Sequence, residues 1–140
     1  MNQMLLIQDD ARIGRAMKRL LNRFGYDEPT WLGGIRSLEV ENGILQGFDI
    51  ESRPLDVDLR KHVLAFVDGH LKIGKVAGWE VMPMLREARI ICISISTIYG
   101  ELLRQYGAEH ETDPGDFKDF IEERLRAIYD AACLQRSSVS

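Results

Sequence analysis

The sequence predicts an α/β domain built on a parallel sheet, and three observations carry that prediction. Residues 63–67, VLAFV, are five consecutive apolar residues, the pattern of a strand buried on both faces. Residues 4–7 and 90–93 are shorter runs of the same kind. Between and after these runs, apolar residues recur at helical spacing, and strands alternating with helices imply a parallel sheet with helices on both faces.

Each element has its own signal. The first strand, residues 4–7, stops at Gln8, Asp9 and Asp10. Ile13, Ala16, Met17, Leu20, Leu21 and Phe24 then mark one face of a helix, which Gly25 ends. Residues 30–32 read as a short strand. Leu38 and Val40 alternate before Asn42-Gly43, and Ile44, Gln46, Phe48 and Ile50 continue with period two. Asn-Gly between alternating runs predicts a β-hairpin at 37–50, closed off by Pro54. Residues 69–78 form a loop rich in Gly and Lys, and 79–88 have helical spacing, with Pro83 expected near the first turn or at a kink. The strand at 90–93 is followed by Ser94, then a weak helix at 97–106 ending at Gly107. Phe117, Phe120, Ile121, Leu125, Ile128 and Ala132 mark a long amphipathic helix before a polar tail, QRSSVS.

Composition narrows the function classes. At 140 residues and 45% apolar, the chain suits one domain with a real core, expected to span 1–140 with no output domain. A net charge of −4 argues against nucleic acid as the main partner. No apolar run approaches the roughly 18 residues of a membrane span, and the start lacks the basic and apolar regions of a signal peptide. Cys92 and Cys133 read as reduced thiols, and the three histidines make no zinc pattern. The expectation is a soluble, cytoplasmic domain.

Three apolar runs end in polar groups: Asp9 and Asp10 after the first, Asp68 after the third, and Ser94 after the fourth. In an open parallel sheet the carboxyl ends of the strands share one edge, where ligands bind beside the point at which strand order reverses. Any one such Asp reads as a helix cap or turn residue. Three strands ending this way favour a site. Carboxylates so close would raise one another's pKa values, a cost that an oxygen-seeking divalent cation such as Mg²⁺ relieves.

Taken in order, MLLIQDD, VLAFVDG, GWEVMPMLRE, ICISIS, YGAEHETDP and DFKDFIEERL resemble the receiver domain of bacterial two-component response regulators, over roughly residues 4–126. The resemblance implies a doubly wound, five-stranded, flavodoxin-like sheet and a phosphoryl switch. By it, Asp68 would be the phosphoacceptor, taking phosphate from a kinase phosphohistidine. Asp9, Asp10 and Asp68, with the backbone carbonyl of His70, would hold Mg²⁺, and Ser94 would bond a phosphoryl oxygen.

The chain departs from that pattern in several places. The family's phosphate-binding lysine precedes the proline after the fifth strand, and here Asp113 precedes Pro114. Lys72 or Lys75 could reach in as a substitute, against the plainer reading of both as solvated loop lysines. The family's aromatic switch position falls at about His110, which is assigned no role. The fifth strand, EHET, is nearly all polar and so should be short. The region of the expected hairpin stands where the family has its second helix.

Charge adds two surfaces. Arg12, Arg15, Lys18, Arg19 and Arg23 follow one another with no acid between Ala11 and Tyr26, either a solvated face or a docking surface for an acidic partner. The resemblance implies a histidine kinase or phosphotransfer protein there. The extra turns of the last helix could form a homodimer contact or cover the sheet edge.

The leading reading is a stand-alone, atypical receiver, an Mg²⁺-dependent phosphoacceptor and not an enzyme in the usual sense. The alternative is a pseudo-receiver, a binding or dimerisation module that works without phosphorylation. A third, a small Mg²⁺-dependent phosphohydrolase, lacks an obvious general acid two residues after Asp68, where His70 would have to serve.

Overall fold

β1 (Gln3–Ile7) and β6 (His62–Val67) lie at the middle of the main sheet, where the most apolar strands belong because both faces are covered. The computed structural model describes residues 2–96 and 98–137. Around the two central strands run β2 (Thr30–Leu32), β8 (Ile91–Ser94) and β9 (His110–Glu111), in the order β2-β1-β6-β8-β9, all parallel. The five-stranded doubly wound sheet is therefore formed as expected, with strand order reversing between β1 and β6. The polar fifth strand pairs through only Ile93–His110 and Ser94–Glu111.

Two apolar cores follow from the pleat. On one face Leu6, Leu64, Phe66 and Ile93 pack with Met17 and Leu21 of α1 (Ala11–Arg23) and with the C-terminal helical segment. That segment is α4 (Phe117–Phe120), a π-helical stretch over Ile121–Leu125, and α5 (Arg126–Ser137). On the other face Leu5, Ile7, Ala65, Val67 and Cys92 pack with Val81, Met82 and Leu85 of α2 (Gly78–Glu87) and Leu103 of α3 (Gly100–Tyr106). Pro83 is the sixth residue of α2, beyond its first turn. Thr97, where the weak helix was expected to begin, and residues 138–140 of the polar tail lie outside the described residues.

The region expected to hold a hairpin holds a second sheet. β3 (Gly34–Ile35), β4 (Ile44–Phe48), β5 (Pro54–Asp58) and β7 (Ile73–Gly74) pair in the order β5-β4-β3-β7. The turn at Asn42-Gly43 is present, with φ of 54° and 76°. Only a single bridge, Glu41–Ile44, closes across it, and 37–50 as a two-stranded hairpin is corrected. The antiparallel partners of β4 are β3 and β5. Pro54 opens β5 instead of ending the excursion; at the first residue of an edge strand it needs no N–H for the ladder. Leu45 and Val57 turn inward beneath this sheet and join the core of α2 and α3.

β7 belongs to the loop after β6, so the second sheet stitches that loop down. Its pairing with β3 is parallel, Gly34 to Ile73 and Ile35 to Gly74. A Cβ at position 34 would strike the carbonyl oxygen of Ile73, so this close approach requires glycine.

Candidate functional site

The acids meet where strand order reverses. Ile7 of β1 and Val67 of β6 are in register, and the Asp68 N–H donates to the Ile7 carbonyl at 2.9 Å. Asp9 and Asp10 therefore leave one strand beside the point where Asp68 leaves the next. A cleft of about 330 Å³ opens there, lined by residues that include Gln8, Asp9, Asp10, Asp68, His70, Lys72, Ser96, Tyr99 and Pro114. The loop holding the first two acids is fixed from beneath by the Trp31 indole, which donates to the Gln8 carbonyl at 2.8 Å.

Each carboxylate has a different environment. Asp10 caps α1, its Oδ1 accepting the N–H groups of Arg12 and Ile13 at 2.9 and 3.0 Å. The Ile13 N–H is the largest influence holding its carboxyl below the usual value, and the charges of Arg12 and Lys72 act the same way. Asp9 reaches across to the loop after β6, its Oδ2 accepting the Lys72 N–H at 2.6 Å. Asp68 is half-buried and accepts only the Gly69 N–H, at 3.0 Å, among the described residues. Burial pushes its carboxyl up to about 6, and the negative charges of Asp9 and Asp10 add to the rise.

The expected cage of three mutually bridging carboxylates is not formed. Among the described residues no three His, Cys, Asp or Glu side chains gather closely enough to hold a metal ion, and Asp9 is engaged with the Lys72 backbone. What remains at the switch point is Asp10 and Asp68, beside the loop that carries the His70 carbonyl. Two carboxylates and a carbonyl, with water completing the shell, are a donor set that suits Mg²⁺. Burial is the main cause of the raised Asp68 pKa and the charges of Asp9 and Asp10 add to it, so a cation there would favour the ionised carboxylate.

Ser94 ends β8 in register with Val67 and is wholly buried. Its neighbour Cys92 belongs to the core of α2 and α3, whereas Leu64 and Phe66, the residues alternating with Asp68, belong to the opposite core. The Ser94 hydroxyl thus lies on the α3 side and does not line the cleft. Ser96 does, although its Oγ accepts the Tyr99 N–H at 2.9 Å. Sequence reasoning passed over Ser96, and the ISIS repeat after Cys92 was the available signal.

Asp113 turns away. Its Oδ1 accepts the Asp116 N–H at 2.9 Å, forming the turn before α4, and it borders an adjoining hollow with Glu101, Arg104 and Asp116, which shares Ser96 and Ile98 with the acid cleft. Its charge raises the Asp116 carboxyl pKa. His110 is likewise outside the cleft, with Arg124 Nη2 3.3 Å from its Nδ1. Tyr99, another residue the sequence did not flag, stacks on the His70 ring at 6.0 Å and packs against Trp79 of α2 at 5.4 Å. These rings roof the loop after Asp68. Gly78 opens α2 directly against the Asp68 carbonyl, where a Cβ would collide with its oxygen.

Comparison with solved structures matches the fold over nearly the whole chain. A response regulator receiver domain protein (CheY-like) from Methanospirillum hungatei superposes with a TM-score of 0.57 at 17% identity, covering 96% of this chain and 98% of that one. The chain has the receiver fold. NtrX from Brucella abortus, solved in complex with ADP, matches at a TM-score of 0.63 and 17% identity over 99% of this chain, which spans only 30% of the length of that structure. A Burkholderia pseudomallei response regulator, solved with a phosphorylated aspartic acid, a calcium ion and citrate, matches at a TM-score of 0.57 and 12% identity, over 100% of this chain and 75% of that one. No family model matches the sequence, and no curated protein matches it. Among the described residues no helix is long and apolar enough to cross a membrane.

Proposed function

We propose that the chain is an atypical receiver that accepts a phosphoryl group on Asp68 in two-component signalling. The observation that carries the proposal is the placement of Asp68: a half-buried carboxylate in a cleft at the strand-order reversal of a receiver fold, beside Asp10. A carboxyl with a pKa of about 6 is mostly ionised at neutral pH and so can act as a nucleophile. In this reading a carboxylate oxygen of Asp68 attacks the phosphorus of a phosphohistidine. The O–P bond forms as the P–N bond breaks, and the departing imidazole keeps the electron pair and takes up a proton.

Asp10, Asp68 and the His70 carbonyl would hold the cation, with Asp9 fixing the loop beside them. When bound, a divalent ion such as Mg²⁺ supplies positive charge to the transferring oxygens. A Burkholderia response regulator solved with both a phosphorylated aspartic acid and a calcium ion supports the reading. Ser94 would have to turn from the α3 side to reach a phosphoryl oxygen, whereas Ser96 already lines the cleft. The exposed Arg12, Arg15, Arg19 and Arg23 of α1 would meet the histidine kinase or phosphotransfer protein, in the cytoplasm. Residues 1–140 would act as one domain that signals through protein contacts.

A second reading has its own observation. Asp113 stands where the family has its phosphate-binding lysine, and a pseudo-receiver that only binds partners would tolerate that loss. Intact-mass measurement after treatment with a small phosphodonor separates the two. A single phosphoryl adduct that needs Mg²⁺ and disappears in Asp68→Asn is the expected result. No adduct under any divalent cation, with partner binding identical in wild type and Asp68→Asn, would establish the pseudo-receiver instead.

A further inference from the structure

We infer that Lys72 replaces the cation missing before Pro114, its ammonium group binding the oxygens of a phosphoryl group on Asp68. The inference rests on the phosphoacceptor reading above and adds the residue that makes that chemistry feasible without the family's lysine. Among the described residues Lys72 is the one Lys or Arg that lines the acid cleft; Lys75, three residues on, does not line it. An ammonium group is a compact point charge that suits phosphoryl oxygens.

What separates Lys72 from an ordinary loop lysine is how firmly its backbone is held. On one side Asp9 Oδ2 accepts its N–H at 2.6 Å. On the other, Ile73 and Gly74 pair with Gly34 and Ile35 of the second sheet. That pairing exists because position 34 lacks a Cβ that would collide with the Ile73 carbonyl oxygen. With the backbone fixed at both ends, only side-chain torsions remain to be ordered when the anion arrives, which lowers the entropic cost of binding.

This arrangement also gives Asp9 and the second sheet a role. Asp9 contributes by clamping the loop, and the second sheet occupies the place of a helix while holding Lys72 at the rim. Asp113, meanwhile, is committed to the Asp116 N–H and leaves the cleft free of a fourth acid.

The test compares wild type, Lys72→Ala, Lys72→Arg, Lys75→Ala and Asp68→Asn, all at exposed or rim positions. Acetyl phosphate with Mg²⁺ supplies the label: an Asp68 oxygen attacks phosphorus, the P–O bond to acetate breaks, and acetate leaves with the electron pair. The second readout is the dissociation constant of beryllium trifluoride, which mimics the phosphoryl group without covalent transfer. Lys72→Ala should slow labelling and weaken beryllium trifluoride binding by roughly tenfold to a hundredfold, as loss of one anion-stabilising donor does. Lys72→Arg should recover part of both, and Lys75→Ala should match wild type. If Lys72→Ala equals wild type in both readouts while Asp68→Asn loses the label, Lys72 is not the anion ligand and the phosphoacceptor reading stands. If wild type takes neither label nor beryllium trifluoride, both readings fall together.

Discussion

The two edges of the main sheet both carry polar groups, and they treat them in opposite ways. At the amino edge, buried His62 places Nδ1 2.8 Å from the Asp58 carbonyl and Nε2 2.9 Å from Thr30 Oγ1. Arg136 of α5 donates to the carbonyls of Arg60, His62 and Ala88, with only its Nε left unpaired. At the carboxyl edge, Asp68 is half-buried among other acids with one N–H to balance it. Pairing marks the first edge as a structural lock. Unbalanced charge marks the second as a place for a ligand.

A groove of about 690 Å³, larger than the acid cleft, lies at the amino edge, yet it is the weaker candidate for chemistry. Two of its arginines are already committed, Arg60 to Asp58 and Arg136 to backbone carbonyls. The proposed site is the smaller cleft, where charge is left uncompensated.

Removing Arg136 tests the structural side with the largest effect. Arg136→Ala should lower unfolding stability by about 1 to 3 kcal/mol, since two half-buried carbonyls, those of His62 and Ala88, and the exposed one of Arg60 lose a charged donor. Mg²⁺ binding should be unchanged. A denaturant midpoint equal to that of wild type, or a lost Mg²⁺ response, would erase the distinction between the edges.

The edges should also respond to pH with opposite sign. Burial lowers the His62 pKa from 6.5, so its contribution to stability is present above that value and is lost as pH falls below it. Asp68 runs the other way. Its carboxyl rises from 3.8 to about 6, so the folded state is favoured below 3.8 and penalised as pH rises through 6. Metal-free Asp68→Asn should therefore exceed wild type above pH 6 by about 1 to 2 kcal/mol, after allowance for solvent screening. His62→Gln should flatten the loss of stability on the acid side. Chemical denaturation across the pH range gives both slopes, and equal slopes in wild type and Asp68→Asn would contradict the burial assigned to Asp68.

The smallest effect belongs to Asp113. Because its side chain forms the turn before α4, Asp113→Ala should cost about 0.5 to 1 kcal/mol and leave phosphodonor labelling near the wild-type rate. Faster labelling would mean that the carboxylate spends time in the cleft.

Much of this molecule could be read from its residues. Strands carried by apolar runs, such as the one ending at Val67, announce themselves, and so does the helix bearing Met17 and Leu21. The two-residue strands β3 and β7 do not, since two residues show no periodicity. Leu38 and Val40 imitated a strand by alternating, but Val40 packs against the core without pairing and Leu38 is left exposed. For the site, the strand tips pointed to Asp9, Asp10 and Asp68 because parallel strands share one carboxyl edge. Side-chain direction does not follow from order. Hence Ser94 is buried behind the cleft, Asp113 turns to the Asp116 N–H, and Ser96 and Lys72 line the cleft.

The most direct test is a backbone-amide NMR titration, first with Mg²⁺ and then with beryllium trifluoride. The account predicts shifts confined to the carboxyl edge, at Asp10, Asp68, Gly69, His70, Lys72 and Ser96, with His62, Arg60 and Arg136 unmoved. Silence at Asp68 and its neighbours, or shifts centred on the amino edge, would contradict it.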